Sequence, residues 1–101
     1  MTTYTITLGL ESPCLSVDEA RDAALKIVGF HFPDGHTVID ATGRWMSPDR
    51  GVIDEPSLVV IVAGNGEDTR RAVSLACSQY KSVAQQDSVM LQITHPQTFF
   101  I

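Results

Sequence analysis

Three side chains at alternate positions, Asp40, Thr42 and Arg44 in the stretch DATGR, could read a small ligand. They offer a carboxylate, a hydroxyl and a guanidinium on one side of an extended chain. Residues four apart on a strand stand roughly 13 Å apart, so Asp40 and Arg44 do not pair with each other. They would hold a ligand between them or find partners on a neighbouring strand. Trp45 follows at once and is the only tryptophan. Tryptophan fills cores and also anchors interfaces, being large and amphipathic. Both roles are open for Trp45.

Other reactive residues are scattered. His31 and His36 flank Asp34, but the spacing matches no strong metal motif and a third firm ligand is missing. His95 stands alone before a proline. Glu55-Pro56-Ser57 has a hydroxyl beside a carboxylate, yet Ser57 lacks the Gly-x-Ser-x-Gly turn of a nucleophile elbow. Loop closure is the simpler account, with Glu55 and Ser57 bonding nearby backbone. Cys77 falls on an apolar helical face, where a small buried thiol fits, and Cys14 has no partner that marks it as a nucleophile. Gly64-Asn65-Gly66 precedes a helix without the lysine or spacing of a phosphate loop. No catalytic constellation, metal site or cofactor motif is expected.

Acids gather at two predicted helix starts: Asp18, Glu19 and Asp22 at one, Glu67 and Asp68 at the other. They offset the positive end of the helix dipole. Asp18, Asp22, Glu67 and Asp68 are also candidate contacts for a basic partner, together with Asp40, Thr42, Arg44 and Trp45.

The elements that position these residues follow from periodicity. Thr3–Leu10 alternates Tyr4, Ile6, Leu8 and Leu10 with threonines and a glycine, which predicts a strand with one buried face. Ser16 and Glu19 form a capping box for a helix. Val17, Ala20, Ala24, Ile27 and Val28 share its apolar side, and Gly29 suits the position after its end. Residues Phe30–Gly35 make a turn containing Pro-Asp-Gly. A second strand covers His36–Trp45, with Ile39, Ala41, Gly43 and Trp45 on one side. If that side faces the helices, Asp40, Thr42 and Arg44 lie on an open face. Residues Met46–Pro56 read as a long polar loop. Ser57–Ala63 is apolar on both faces and belongs in the sheet interior. A second helix, capped by Asn65, carries Ala72, Val73, Ala76, Cys77, Tyr80, Val83 and Ala84 on one side. Ser88–Thr94 is a fourth strand, and HPQTFFI is an apolar tail.

The order βαββαβ predicts one α+β domain over residues 1–101. It is a ferredoxin-like two-layer sandwich: a four-stranded antiparallel sheet, first and third strands central, with two helices on one face. The 101 residues suit a single core, and 44% hydrophobic with 19% charged residues is ordinary for a globular chain. A formal net charge of −5 argues against direct nucleic-acid binding, which needs a basic face. It suits a protein partner with a basic surface. No stretch reaches the ~18 apolar residues of a membrane span, and the first residues lack the pattern of an export signal. Placement in the bacterial cytoplasm is the expectation.

The stretch Phe32, Pro33, Asp34, Gly35, Thr37, Val38, Asp40, Ala41, Gly43, Trp45, followed by Glu55, Pro56 and Ser57, resembles the signature of a small uncharacterised bacterial domain family. The resemblance implies a fold and supplies no activity. In size, charge and build the chain is also similar to phage-encoded inhibitors such as anti-CRISPR proteins. Together these readings predict a non-catalytic protein-binding module that docks on a bacterial defence complex through acidic and open-sheet surfaces. The alternative is a small-molecule-binding or catalytic α+β protein, dimerised across its open sheets, with Asp40, Thr42 and Arg44 lining its site.

Overall fold

The computed structural model describes residues 1–101. Its elements are β1 (Thr2–Gly9), α1 (Val17–His31), β2 (Thr37–Ser47), β3 (Gly51–Gly64), α2 (Gly66–Val83) and β4 (Met90–Thr94). The strands form one antiparallel sheet in the order β2-β3-β1-β4. With both helices on one face, this is the ferredoxin-like α+β sandwich that the sequence pattern predicts.

The core lies between the layers. Even-numbered residues of the two central strands enter it: Tyr4, Ile6 and Leu8 from β1, Leu58, Val60 and Val62 from β3. Ala20, Ala24, Ile27 and Val28 meet them from α1, and Val73, Ala76 and Tyr80 from α2. Alanines at the helix contacts let the helices sit close to the sheet. Fully burying one such Val, Leu or Ile contributes roughly 1.5–3 kcal/mol.

The start of α1 is the capping box. The Glu19 N–H donates to Ser16 Oγ at 3.1 Å, and the Ser16 N–H donates to Glu19 Oε1 at 2.9 Å. The Ser16 N–H, with a smaller contribution from the Ser16 hydroxyl, holds the Glu19 carboxyl below its ordinary value. The end of α1 differs from expectation. Gly29 and Phe30 stay helical, and the Phe32 N–H still donates to Val28 O at 2.9 Å. Burial of Phe32 in the core favours the extra turn over a stop at Gly29. Asn65 precedes α2, but its side chain makes no capping bond.

A second difference lies at Met46–Pro56. These residues are not a loop. They continue β2 and β3 into a long hairpin, paired from Thr42↔Pro56 out to Ser47↔Gly51. The hairpin closes on Ser47 Oγ, which accepts from the N–H groups of Asp49 and Arg50 at 3.3 Å each. Gly51 supplies the positive φ of 74° that the turn requires. Pro56 is tolerated inside the strand because of where β1 stops. Its carbonyl accepts from the Leu10 N–H at 2.9 Å, so its nitrogen faces the same side, where β1 has ended and no donor is needed. β1 pairs with β3 only as far as Gly9↔Ser57, so residues 51–56 form a two-stranded arm with β2. The arm lengthens the molecule to 45 × 24 × 22 Å.

The third difference is a reversed face. Val38 pairs with Val60 and packs against the core, which fixes even-numbered residues of β2 on the helix side. Asp40, Thr42 and Arg44 therefore point toward the helix layer. Ile39, Ala41, Gly43 and Trp45 lie on the open face. A one-residue change of register exchanges every side chain between faces, and Val38, half-buried against the core, decided it.

No helix is long and apolar enough to cross a membrane.

Candidate functional site

Asp40 forms an ion pair with Arg21 of α1. Arg44 grips Asp54 across the arm with two bonds, Nε to Oδ1 at 2.6 Å and Nη2 to Oδ2 at 3.1 Å. That contact raises the Arg44 guanidinium further above its ordinary value. Both charges of the DATGR stretch thus have partners within the chain. Thr42 stands exposed between them. Asp18 and Asp22 lie at the start of α1, which follows the C-terminal end of β1. Glu67 and Asp68 lie at the start of α2, after the C-terminal end of β3. Because β1 and β3 are antiparallel, the two acidic groups sit at opposite ends of the molecule. His31 bonds Gln79 at 2.9 Å, His36 bonds the Phe32 carbonyl at 2.9 Å, and no three metal-ligating side chains converge.

A concavity opens elsewhere, at the root of the arm. It measures about 410 Å³ and is lined by Glu11, Pro13, Trp45, Glu55 and the loop Gln85–Ser88. Glu55 projects from the open face of β3. Glycines make room for it. Gly43 lies opposite in the ladder, and a Cβ on Gly9 would stand 3.2 Å from Glu55 Oε1 and 3.4 Å from Gln86 Oε1. The Glu55 carboxyl is therefore laid across the surface of β1. Burial raises its pKa, and the nearby Glu11 carboxylate raises it further. Both causes disfavour the charged form.

The wall opposite is fixed by the end of α2. The Gln86 amide donates to Glu11 O at 2.6 Å, and Ser12 Oγ donates to Ala84 O at 2.8 Å. Gln85 holds a positive φ of 50°, unusual for a residue with a side chain. Beneath the floor, the buried Tyr80 hydroxyl donates to Gly9 O. Burial, with a smaller push from Glu55, lifts the Tyr80 pKa to about 12. The phenol stays protonated and serves as a fixed donor under the strand that Glu55 crosses. Trp45, 45% exposed, presents its indole at the rim. The lining contains three carboxylates and no lysine, arginine or histidine.

Of the candidate contact residues named from sequence, only Trp45 reaches this cleft. Sequence marks neither Glu11 nor Gln86, and it gives Glu55 only a loop-closing role, because Pro56 looks like the boundary of a strand. The signal that could have found it is the pair of glycines, Gly9 and Gly43, at open-face strand positions where a close approach needs them. A second concavity of about 280 Å³ lies at the other end. It is lined by the Phe32–Gly35 turn, Asp68 and Thr69, among others.

The model of a family described as "Protein of unknown function (DUF3574)" matches residues 5–100. No curated protein matches the chain. Among solved structures, it is similar to a phage SAM lyase in the apo state, with a TM-score of 0.67 and 18% identity over 92% of this chain and 78% of that one. The phage SAM lyase in complex with S-methyl-5'-thioadenosine matches with a TM-score of 0.66 and 20% identity, over 92% and 79%. A DUF3240 family protein from Shewanella baltica OS155 matches with a TM-score of 0.57 and 9% identity, over 99% and 96%. At these identities the likeness is one of fold. It corrects the expectation of a non-catalytic inhibitor of a defence complex, since the phage protein with this fold is an enzyme.

Proposed function

The chain belongs to the DUF3574 family, and from that footing we propose that it is a small-molecule-binding, catalytic α+β protein whose site is the cleft of Trp45 and Glu55. The observation that carries the reading is Glu55. It is a half-buried carboxyl with a raised pKa, held across glycine beside a concavity and an aromatic rim. An upward shift brings a carboxyl toward the range where it can both accept and return a proton. Glu55 is assigned that proton transfer. Trp45 is assigned the stacking of a flat ring, and the fixed backbone of Gln85–Ser88 the closing of the far side. Three carboxylates and no basic group on the lining favour a substrate with a positive centre near a ring. A SAM-type compound has both features, and the phage SAM lyase of similar fold lends this class its support.

The test is calorimetric titration with SAM and with S-methyl-5'-thioadenosine, followed by mass spectrometry of SAM incubated with the protein. Binding that weakens at least tenfold in Trp45→Ala, with turnover lost in Glu55→Gln, is the expected result. If neither compound binds the folded protein, the SAM-type substrate class is wrong. If binding survives both substitutions unchanged, the cleft is wrong.

A further inference from the structure

We infer that the open face of the sheet is the contact surface of a two-fold homodimer. The observation is chemical and concerns the whole open face, of which the cleft occupies one edge. Alternation and register place Thr3, Thr5 and Thr7 of β1, Ile39 and Ala41 of β2, Val59, Ile61 and Ala63 of β3, and Met90 and Gln92 of β4 on that face. Glu55, at its edge beside Glu11 and Asp87 of the cleft, is the only ionisable side chain that the strands place there. The rest of the molecule is charged enough to give a formal −5, and the same arm carries Asp54 and Arg44 on its other side. Open sheet faces that stay in water usually carry polar side chains. This one instead holds Ile39 at 46% and Met90 at 55% exposure, with partly exposed Val59 and Ile61 between them.

The occupant follows from charge and area. Two copies of an acidic protein repel, and the repulsion is least where each presents an uncharged surface. A basic partner would be met by acids, and this face offers almost none. Four strands about 4.8 Å apart, with side chains spaced along strands at about 3.3 Å per residue, give roughly 400 Å² in projection. The two-stranded arm adds roughly 200 Å² more, and side-chain relief brings the total near the ~800 Å² per partner of a stable interface. A sheet packed on its own copy is isologous, so each substitution acts twice.

The inference does not rest on the activity proposed above, because it is read by mass and not by ligand. Sedimentation velocity on the full chain is expected to give twice the chain mass at micromolar concentration, insensitive to added salt. Ile39→Lys and Val59→Lys bury a charge on each side of the contact and should weaken association by about a hundredfold or more. Leu75→Lys, the same kind of change on an exposed position of α2, should leave the dimer intact. Circular dichroism checks that each variant is folded. A folded wild-type monomer at high concentration would overturn the inference. So would face variants that stay dimeric, or a dimer that Leu75→Lys dissolves.

Discussion

Individual residues of the cleft are set by their surroundings more than by their type. Glu55 is an ordinary glutamate in an unusual place, and its raised pKa has a consequence for stability. A carboxyl whose folded pKa exceeds its unfolded value binds its proton more tightly when folded. Its favourable contribution is complete below the unfolded pKa and is lost as pH rises through the folded one. Glu55→Gln should therefore be more stable than wild type at neutral pH, and the gain should shrink as pH falls below the carboxylate range. Urea melts at a series of pH values would read this, and a gain that grows toward acid would contradict it. Tyr80 makes the opposite kind of contribution. Tyr80→Phe keeps the ring in the core but leaves Gly9 O without its buried donor, at a cost of about 1–3 kcal/mol by the same melts.

At the scale of elements, junctions decide more than element interiors. Gly64 ends β3 where α2 begins, and a Cβ there would stand 2.5 Å from Thr69 Oγ1 and 2.8 Å from Thr69 Cγ2. Thr69 is β-branched and stiff in a helix, so it cannot swing clear. Gly64→Ala should cost about 1–3 kcal/mol, the usual toll of overpacking. Adding Thr69→Ala should restore most of that loss, a coupling measurable in a double-mutant cycle. Failure of the second change to rescue the first would place the strain elsewhere. The helices were legible in sequence because their apolar sides repeat with a clear period and Ser16 with Glu19 marks a start. The end of α1 was not legible, because Gly29 is a local stop signal and Phe32 is held by a distant core.

Across the whole molecule, stability is divided between a packed body and an exposed arm. β1 and the second half of β3 are covered by both helices. The arm, residues 42–56, rests on its own pairing, the turn at Ser47 and the Arg44–Asp54 bridge. Exposed pairs of this kind contribute little, typically under about 1 kcal/mol. In the monomer, amide hydrogen exchange should therefore be faster through Thr42–Ser47 and Gly51–Glu55 than through Ile6 and Val60. Equal protection in both regions would mean that something covers the arm. A dimer through the open sheet would slow exchange in the arm as protein concentration rises through the dissociation constant of the dimer.

The sequence by itself determined the element order, the ferredoxin-like class and the membership of the core on β1 and both helices. Those follow from local periodicity and caps, which need no distant partner. Only the tertiary structure decided that Met46–Pro56 pairs as an arm, because a proline inside a strand is allowed just where its neighbour ends. Only it decided which face of β2 meets the helices. Either alternation of that strand carries some apolar residues, and the choice rests on Val38 reaching Val60. The cleft depended on the same choice: Trp45 and Glu55 share the open face across the β2–β3 ladder, where Gly43 and Gly9 let a carboxylate lie flat, and no spacing along the chain records that meeting.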